Sequence, residues 1–331
     1  MFVALQAAGL RFDWTFERRS RPSGSLSSAI DFDEHQRSLP GKRYDRDYQE
    51  GGSAMSIKTV MCVFDVDRWD QDLKSAMEFC ETQGAHMTAL VICMGAVPAI
   101  ATYEAISTAW LEGQQQEIDR LAAETKAVQE ILERTELSFD VQEVYTEFAW
   151  AEGDIAQHAL YADLVLVGAQ AAGNEDLQRR IVDGALFESP TPILINPRTQ
   201  AVSSFPKSIL LAWDSSDEAA RATRQSLEFL KGCDAVHVTL VDPVARSWEN
   251  GEEPGSDIAM FLTRHGVKVE VDRVASGGRR VDETLRQHAM DVAADLVVMG
   301  AYNHPRIQQR LFGGVTRSML KDSQVPLFLS R

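Results

Sequence analysis

The sequence predicts an α/β protein of two tandem domains, each a five-stranded parallel sheet with helices on both faces. Three observations carry that expectation. Short Val/Ile/Leu-rich runs alternate with stretches of helical period along most of the chain. The runs are nearly all apolar rather than alternating, as strands covered on both faces are. The pattern also occurs twice. "ADLVLVGA" at Ala162–Ala169 returns as "ADLVVMGA" at Ala294–Ala301, each behind a helical stretch with a His-Ala pair, His158-Ala159 and His288-Ala289. The openings match as well, "IKTVMCVFDVD" from Ile57 against "PKSILLAWDSS" from Pro206, and so do the closing strands "TPILINP" and "VPLFLSR".

Taken in order, residues 1–54 match neither repeat. Rich in Arg, Ser and Asp, with few periodic apolar positions, they are expected to be disordered or to precede a translation start at Met55. The first domain, 55–204, has expected strands at Thr59–Phe64, Met87–Cys93, Phe139–Val144, Leu164–Val167 and Ile193–Ile195. The second, 205–331, has them at Ile209–Trp213, Val236–Leu240, Lys268–Asp272, Leu296–Met299 and Leu327–Leu329. Helices between parallel strands fit right-handed crossovers. The halves differ most between their second and third strands. There the first carries a long charged helical stretch from about Ile100 to Arg134, and the second the acidic loop "SWENGEEPGS" with a shorter helix. "GGRR" at Gly277–Arg280 reads as the turn into the third helix of the second half, with a stretch facing a ligand as the alternative, and Trp213, Cys233 and the methionines read as core.

Composition narrows the function. No apolar run is long enough to span a bilayer, and the start lacks the basic region of a secretory leader, so no membrane association and a cytoplasmic location are expected. Cys62, Cys80, Cys93 and Cys233 form no CxxC pair and read as core thiols of a reducing compartment. The formal charge of -16 is unevenly placed: residues 55–204 hold nine basic and twenty-four acidic side chains, net -15, and residues 205–331 hold sixteen and seventeen, net -1. Nucleic acid, which needs a basic stripe, is disfavoured as a partner. An anionic small ligand is repelled far less by the second half.

The second half carries the motif. "GAYNHPRIQQRLFGG" runs from Gly300 to Gly314, straight off the fourth strand. In open parallel sheets, ligands bind beyond the carboxyl ends of the strands where strand order reverses, and Asp214 and Gly300 end two such strands. Gly300 is expected to let the chain turn sharply without a Cβ clash. Gly313 and Gly314 open a helix whose unpaired N–H groups and dipole attract phosphate. Arg306, Arg310 and Arg317 lie around the loop, and Thr316 offers a hydroxyl.

In these features the chain resembles the universal stress protein family, and its tandem-domain members in particular. The family motif is Gly, two residues, Gly, nine residues, Gly, then Gly, Ser or Thr. Here it reads Gly300, Ala301-Tyr302, Asn303, nine residues including Arg306, then Gly313 and Gly314, followed by Val315 and Thr316. The resemblance spans roughly Met55 to Arg331. It implies a Rossmann-like, adenine nucleotide alpha hydrolase-like fold with strand order 3-2-1-4-5 in each domain, and ATP, with or without Mg2+, as the ligand. It implies that Asp214 meets the adenosine and that Ala212, Val241 and Met299 line the base pocket. It further implies an intramolecular counterpart of the family's homodimer, with which a homodimer of chains is compatible.

Two departures stand against the family pattern. Asn303 replaces the second glycine, although asparagine tolerates the left-handed conformation better than most residues. After Gly168 the first half keeps neither the second glycine nor the spacing; Gly184 precedes Ala185-Leu186 with no hydroxyl, and Asp65 and Asp67 add negative charge. The first half therefore reads as a degenerate domain without ligand. No Ser-His-Asp or Cys-His arrangement, HExxH or metal-ligand spacing is present, so no dedicated catalysis is expected. The expected function is that of a cytoplasmic stress-response regulatory protein holding ATP in its C-terminal domain. An interaction or scaffold protein without nucleotide, and a slow ATPase, are the alternatives.

Overall fold

A computed structural model describes residues 57–95, 108–196, 206–244, 253–301 and 314–331, all within one compact unit, Gly52–Arg331. The expectations for residues 1–54, and for Asn303, Arg306, Arg310 and Gly313, lie outside the described residues. All ten expected strands form: β1 Thr59–Asp65, β2 His86–Gly95, β3 Phe139–Glu147, β4 Leu164–Val167, β5 Ile193–Ile195, β6 Ser208–Ala212, β7 Ala235–Val241, β8 Val269–Val274, β9 Leu296–Gly300 and β10 Leu327–Ser330. The helices are α1 Asp70–Gln83, α2 Thr108–Leu132, α3 Ala151–Ala159, α4 Ala169–Ala172, α5 Glu175–Asp183, α6 Asp217–Gln225, α7 Leu227–Gly232, α8 Ser256–Arg264, α9 Val281–Asp291 and α10 Gly314–Asp322. A π-helical turn, Gly184–Glu188, extends α5.

The strand order is β3-β2-β1-β4-β5-β10-β9-β6-β7-β8. Each half therefore follows 3-2-1-4-5, with every pair inside a half parallel. The expected pair of five-stranded sheets is corrected in one respect: they are a single ten-stranded sheet. The fifth strands pair antiparallel, Leu327 with Ile195, Phe328 with Leu194 and Leu329 with Ile193. Two short edges that would each expose unpaired backbone groups satisfy one another in this way.

Central strands are apolar because both faces are covered; β4, β5 and β10 are buried throughout. The outermost β3 and β8 are only partly buried and mix in polar residues. Two cores follow, one on each face, and both run across the two halves. On the first face Phe79 of α1 lies 6.4 Å from Phe229 of α7, which meets Phe328 of β10 edge-on at 6.0 Å. The thiols are core as expected, all four buried, and Trp213 packs against the first cluster. The methionine expectation fails at Met260 and Met290, which are exposed on α8 and α9.

Candidate nucleotide site

The second half reverses strand direction of growth at β6, flanked by β9 on one side and β7 on the other. The strand ends there carry the expected residues. Met299 is buried in the second core cluster, and Ala212, Val241 and Val315 all pack against that same cluster. Four sequence-expected residues from β6, β7, β9 and α10 thus share one apolar surface on one face of the sheet. Asp214, exposed just past β6, accepts hydrogen bonds from the Ser216 backbone N–H at 3.0 Å and the Ser216 hydroxyl at 2.5 Å. Ser216 in turn caps α6 by accepting from the Ala219 N–H at 3.1 Å.

Glycine at 300 avoids a Cβ clash as expected, but the clash comes from a neighbouring helix rather than from the turn. Gly300 does not have a positive φ. A Cβ there would sit 2.5 Å from the Ala219 nitrogen and 2.7 Å from the Glu218 carbonyl carbon. It is the close approach of the α6 start, not the sharpness of the turn, that excludes a side chain. Gly314 opens α10, and among the described residues an added Cβ there would meet only the Arg280 Nη2, at 3.9 Å. Thr316, one turn in, is buried, and Arg317 is exposed.

The "GGRR" turn forms as expected, with Gly277 and Gly278 both left-handed at φ 61 and 86. Asp242, following β7, anchors it by accepting the Ser276 N–H at 2.9 Å; hydrogen bonds from Ser276 hold the Asp242 carboxyl below its ordinary range. The turn delivers Arg280 to the start of α9. Its Nε donates to Asp282 at 2.9 Å and its Nη2 reaches the Gly314 carbonyl at 3.5 Å. Asp282 also accepts from the Ser318 hydroxyl at 2.6 Å and from Arg286 at 3.3 Å. Burial pushes this carboxyl up, but Ser318 and Arg280 more than offset it and hold it below the usual carboxylate range.

The equivalent edge of the first half is filled by the protein itself. Past β4 the chain enters α4 at once. The buried Asp72 carboxylate of α1 accepts the N–H groups of Gln170 at 3.0 Å and Ala171 at 2.8 Å. Gln170 answers by capping α1, its amide oxygen accepting from Gln71 and Asp72 at 2.9 and 3.1 Å. A Cβ on Gly168 would collide with Asp72, and the cavity beside it measures only about 10 Å³, at most room for one water. Asp65, the counterpart of Asp214, is buried and accepts from Asn174 at 2.8 Å. Gly184 does not open a helix; a Cβ there would strike the Glu152 carbonyl of α3.

Comparison with known proteins agrees with this geometry. Residues 206–331 match the universal stress protein family. The family match is confined to the second half of the chain. A universal stress protein of Synechocystis sp. is 25% identical over 148 residues, covering 43% of this chain and 47% of that protein, so the match spans about half the length of the relative. Among solved structures, a universal stress protein from Archaeoglobus fulgidus aligns over 82% of this chain and 96% of its own, with a TM-score of 0.59 and 14% identity. A protein of unknown function from Pseudomonas aeruginosa aligns over 83% and 92%, with a TM-score of 0.50 and 14% identity. At such identities the likeness shows the α/β fold alone.

The universal stress protein match falls on the half that carries the glycine motif. Within it, the sequence left Arg280 as part of a turn that could face a ligand and did not place it beside the start of α10. The available signal was the pairing of Arg280 with Asp282 at the head of a predicted helix, but nothing local says that α9 and α10 start side by side. Among the described residues no group of His, Cys, Asp and Glu is arranged to hold a metal ion, and no helix is long and apolar enough to cross a membrane.

Proposed function

We propose that this chain is a universal stress protein that binds one adenine nucleotide, ATP by preference, in its second half, and acts as a cytoplasmic stress-response regulator. The observation that carries the reading is the convergence at the β6 switch point of Ala212, Val241, Met299 and Val315 on one apolar surface, beside an exposed Asp214 and an α10 start with room at Gly314. An adenine ring fits the apolar strand ends, a ribose the carboxylate, and phosphates the helix N-terminus, whose dipole favours anions. The first half supports a stoichiometry of one, because Asp72 fills the space past β4 and Gly184 continues α5 rather than starting a separate helix. With one half loaded and the other closed, the two halves stand in for two unequal subunits. Domains bounded at 55–204 and 205–331 belong to the same proposal.

Nucleotide released from protein purified without additives, and calorimetric titration with ATP, test this. One equivalent per chain is expected; two equivalents would show that the first half is open, and none would leave an interaction role without nucleotide. Gly314→Val localises the site. Among the described residues nothing closer than the Arg280 Nη2, at 3.9 Å, meets a Cβ at Gly314, so the helix accepts the side chain, whereas phosphate contacts would be lost together, each charge-assisted and worth about 1.5–3 kcal/mol. ATP affinity should fall at least about tenfold, since 1.4 kcal/mol is one decade, with unchanged circular dichroism.

A further inference from the structure

We propose that Ser138, His86 and Asp140 form a hydrolytic site for small carboxylic esters in the first half, with Ser138 as the nucleophile. The site lies at the amino ends of β2 and β3 and does not depend on the nucleotide reading.

No spacing along the chain announces this group; strand register builds it. Side chains two apart on a strand share a face. His86 and Thr88 of β2 therefore lie together, as do Ser138, just before β3, and Asp140 and Gln142 within it. The strands pair in parallel with Met87 opposite Phe139 and Thr88 opposite Asp140. His86 is thereby set between Ser138 and Asp140. Its Nδ1 lies 2.8 Å from the Ser138 Oγ, and its Nε2 lies 2.7 Å from the Asp140 Oδ1. Asp140 also accepts from the Thr88 hydroxyl and from the Gln142 amide, each at 3.0 Å. An ionised carboxylate only accepts, so in the neutral imidazole Nε2 carries the proton and the Nδ1 lone pair faces the Ser138 hydroxyl. Hydroxyl on base and base on orienting carboxylate is the arrangement that activates a serine.

The group opens onto a groove of about 700 Å³ that His86 and Asp140 line together with Gln157, Leu160 and Tyr161. Ser138 is exposed, so a substrate can reach it. Leu160 and Tyr161, both exposed, offer apolar contacts to an acyl or alkoxy part. Gln157 and Tyr161 carry the N–H and O–H donors that a developing oxyanion needs. The net charge of -15 over residues 55–204 selects a neutral or cationic ester. The fold does not require these residues: in the duplicated register Ala235, Lys268 and Glu270 stand where the first half has His86, Ser138 and Asp140.

In the reaction the Ser138 Oγ bonds the ester carbonyl carbon while its proton passes to the His86 Nδ1. The carbon–alkoxy bond then breaks, and His86 returns that proton to the departing alcohol. Water attacks the acylated Ser138 by the same route, giving up a proton to His86 that goes back to Oγ as the carboxylic acid leaves.

Two probes test this: a neutral fluorophosphonate, whose P–F bond breaks as the Ser138 Oγ bonds phosphorus, and p-nitrophenyl acetate. Wild type should carry one label per chain, placed on Ser138 by peptide mass spectrometry. Ser138→Ala and His86→Gln, with circular dichroism confirming the fold, should each slow labelling and ester hydrolysis about a hundredfold or more, the range for a positioned base. Asp140 acts through His86 as a positioning residue. Asp140→Asn should lower the maximal labelling rate while the half-saturating probe concentration stays within about twofold. Wild type that takes no label, label on another residue, or rates that survive Ser138→Ala would overturn the proposal. If a variant does not fold, the position of the label on wild type decides.

Discussion

Replacing Gly300 by alanine adds one methyl group at the point where β9 meets the start of α6. The added Cβ would lie 2.5 Å from the Ala219 nitrogen, 2.7 Å from the Glu218 carbonyl carbon and 2.8 Å from the Glu218 Cβ. Two of these neighbours are backbone, so no rotamer change relieves the clash and the helix start must move. Overpacking of this kind costs about 1–3 kcal/mol. The displaced Ala219 N–H is also the group that the Ser216 hydroxyl caps, and losing a cap adds about 1 kcal/mol. A total of about 2–4 kcal/mol, at roughly 2–4 °C per kcal/mol for a protein of this size, should lower the thermal midpoint by something on the order of 5–10 °C. Gly113→Ala is the matched control. Gly113 lies inside α2 with nothing within 4 Å of its added Cβ, so the same methyl group should stabilise by about 0.5–1 kcal/mol. Differential scanning fluorimetry reads both signs. Equal midpoints for Gly300→Ala and wild type would refute the claim that close approach of α6 is what demands glycine.

Two further outcomes follow from titrating groups. Burial raises the Cys93 and Cys233 thiols to about 11 and the Cys62 thiol well above its ordinary value, so native protein at pH 8 should resist alkylation that unfolded protein undergoes; rapid native labelling at any of these three would contradict their burial. Asp282 is held below its unfolded value, so its stabilisation is present above about pH 4, the unfolded carboxylate range, and is lost as pH falls through the folded value. Asp282→Asn should therefore be less stable than wild type at neutral pH, with the gap narrowing in acid; a gap constant with pH would show that the carboxylate charge contributes nothing.

The strands and their repeat were legible in the sequence alone. Strands buried on both faces must be apolar along their whole length, and that requirement is written locally: β4 and β9 read as "LVLV" and "LVVMG" wherever they fold. Glycine at 300 and 314 was legible for the same reason, although the clash that explains Gly300 involves a helix some eighty residues earlier in the chain. What tertiary structure alone decided are pairings between distant groups. The joining of β5 to β10 rests on edge backbone groups that are the same for any residue. The carboxylate of Asp72 on the N–H groups of Gln170 and Ala171 spans 98 and 99 positions, and Arg280 reaches Gly314 across 34. Such contacts have no period and no preferred spacing; they exist because the packed sheet brings helix starts together, and a helix start offers the same unpaired N–H groups to an internal carboxylate as to a phosphate.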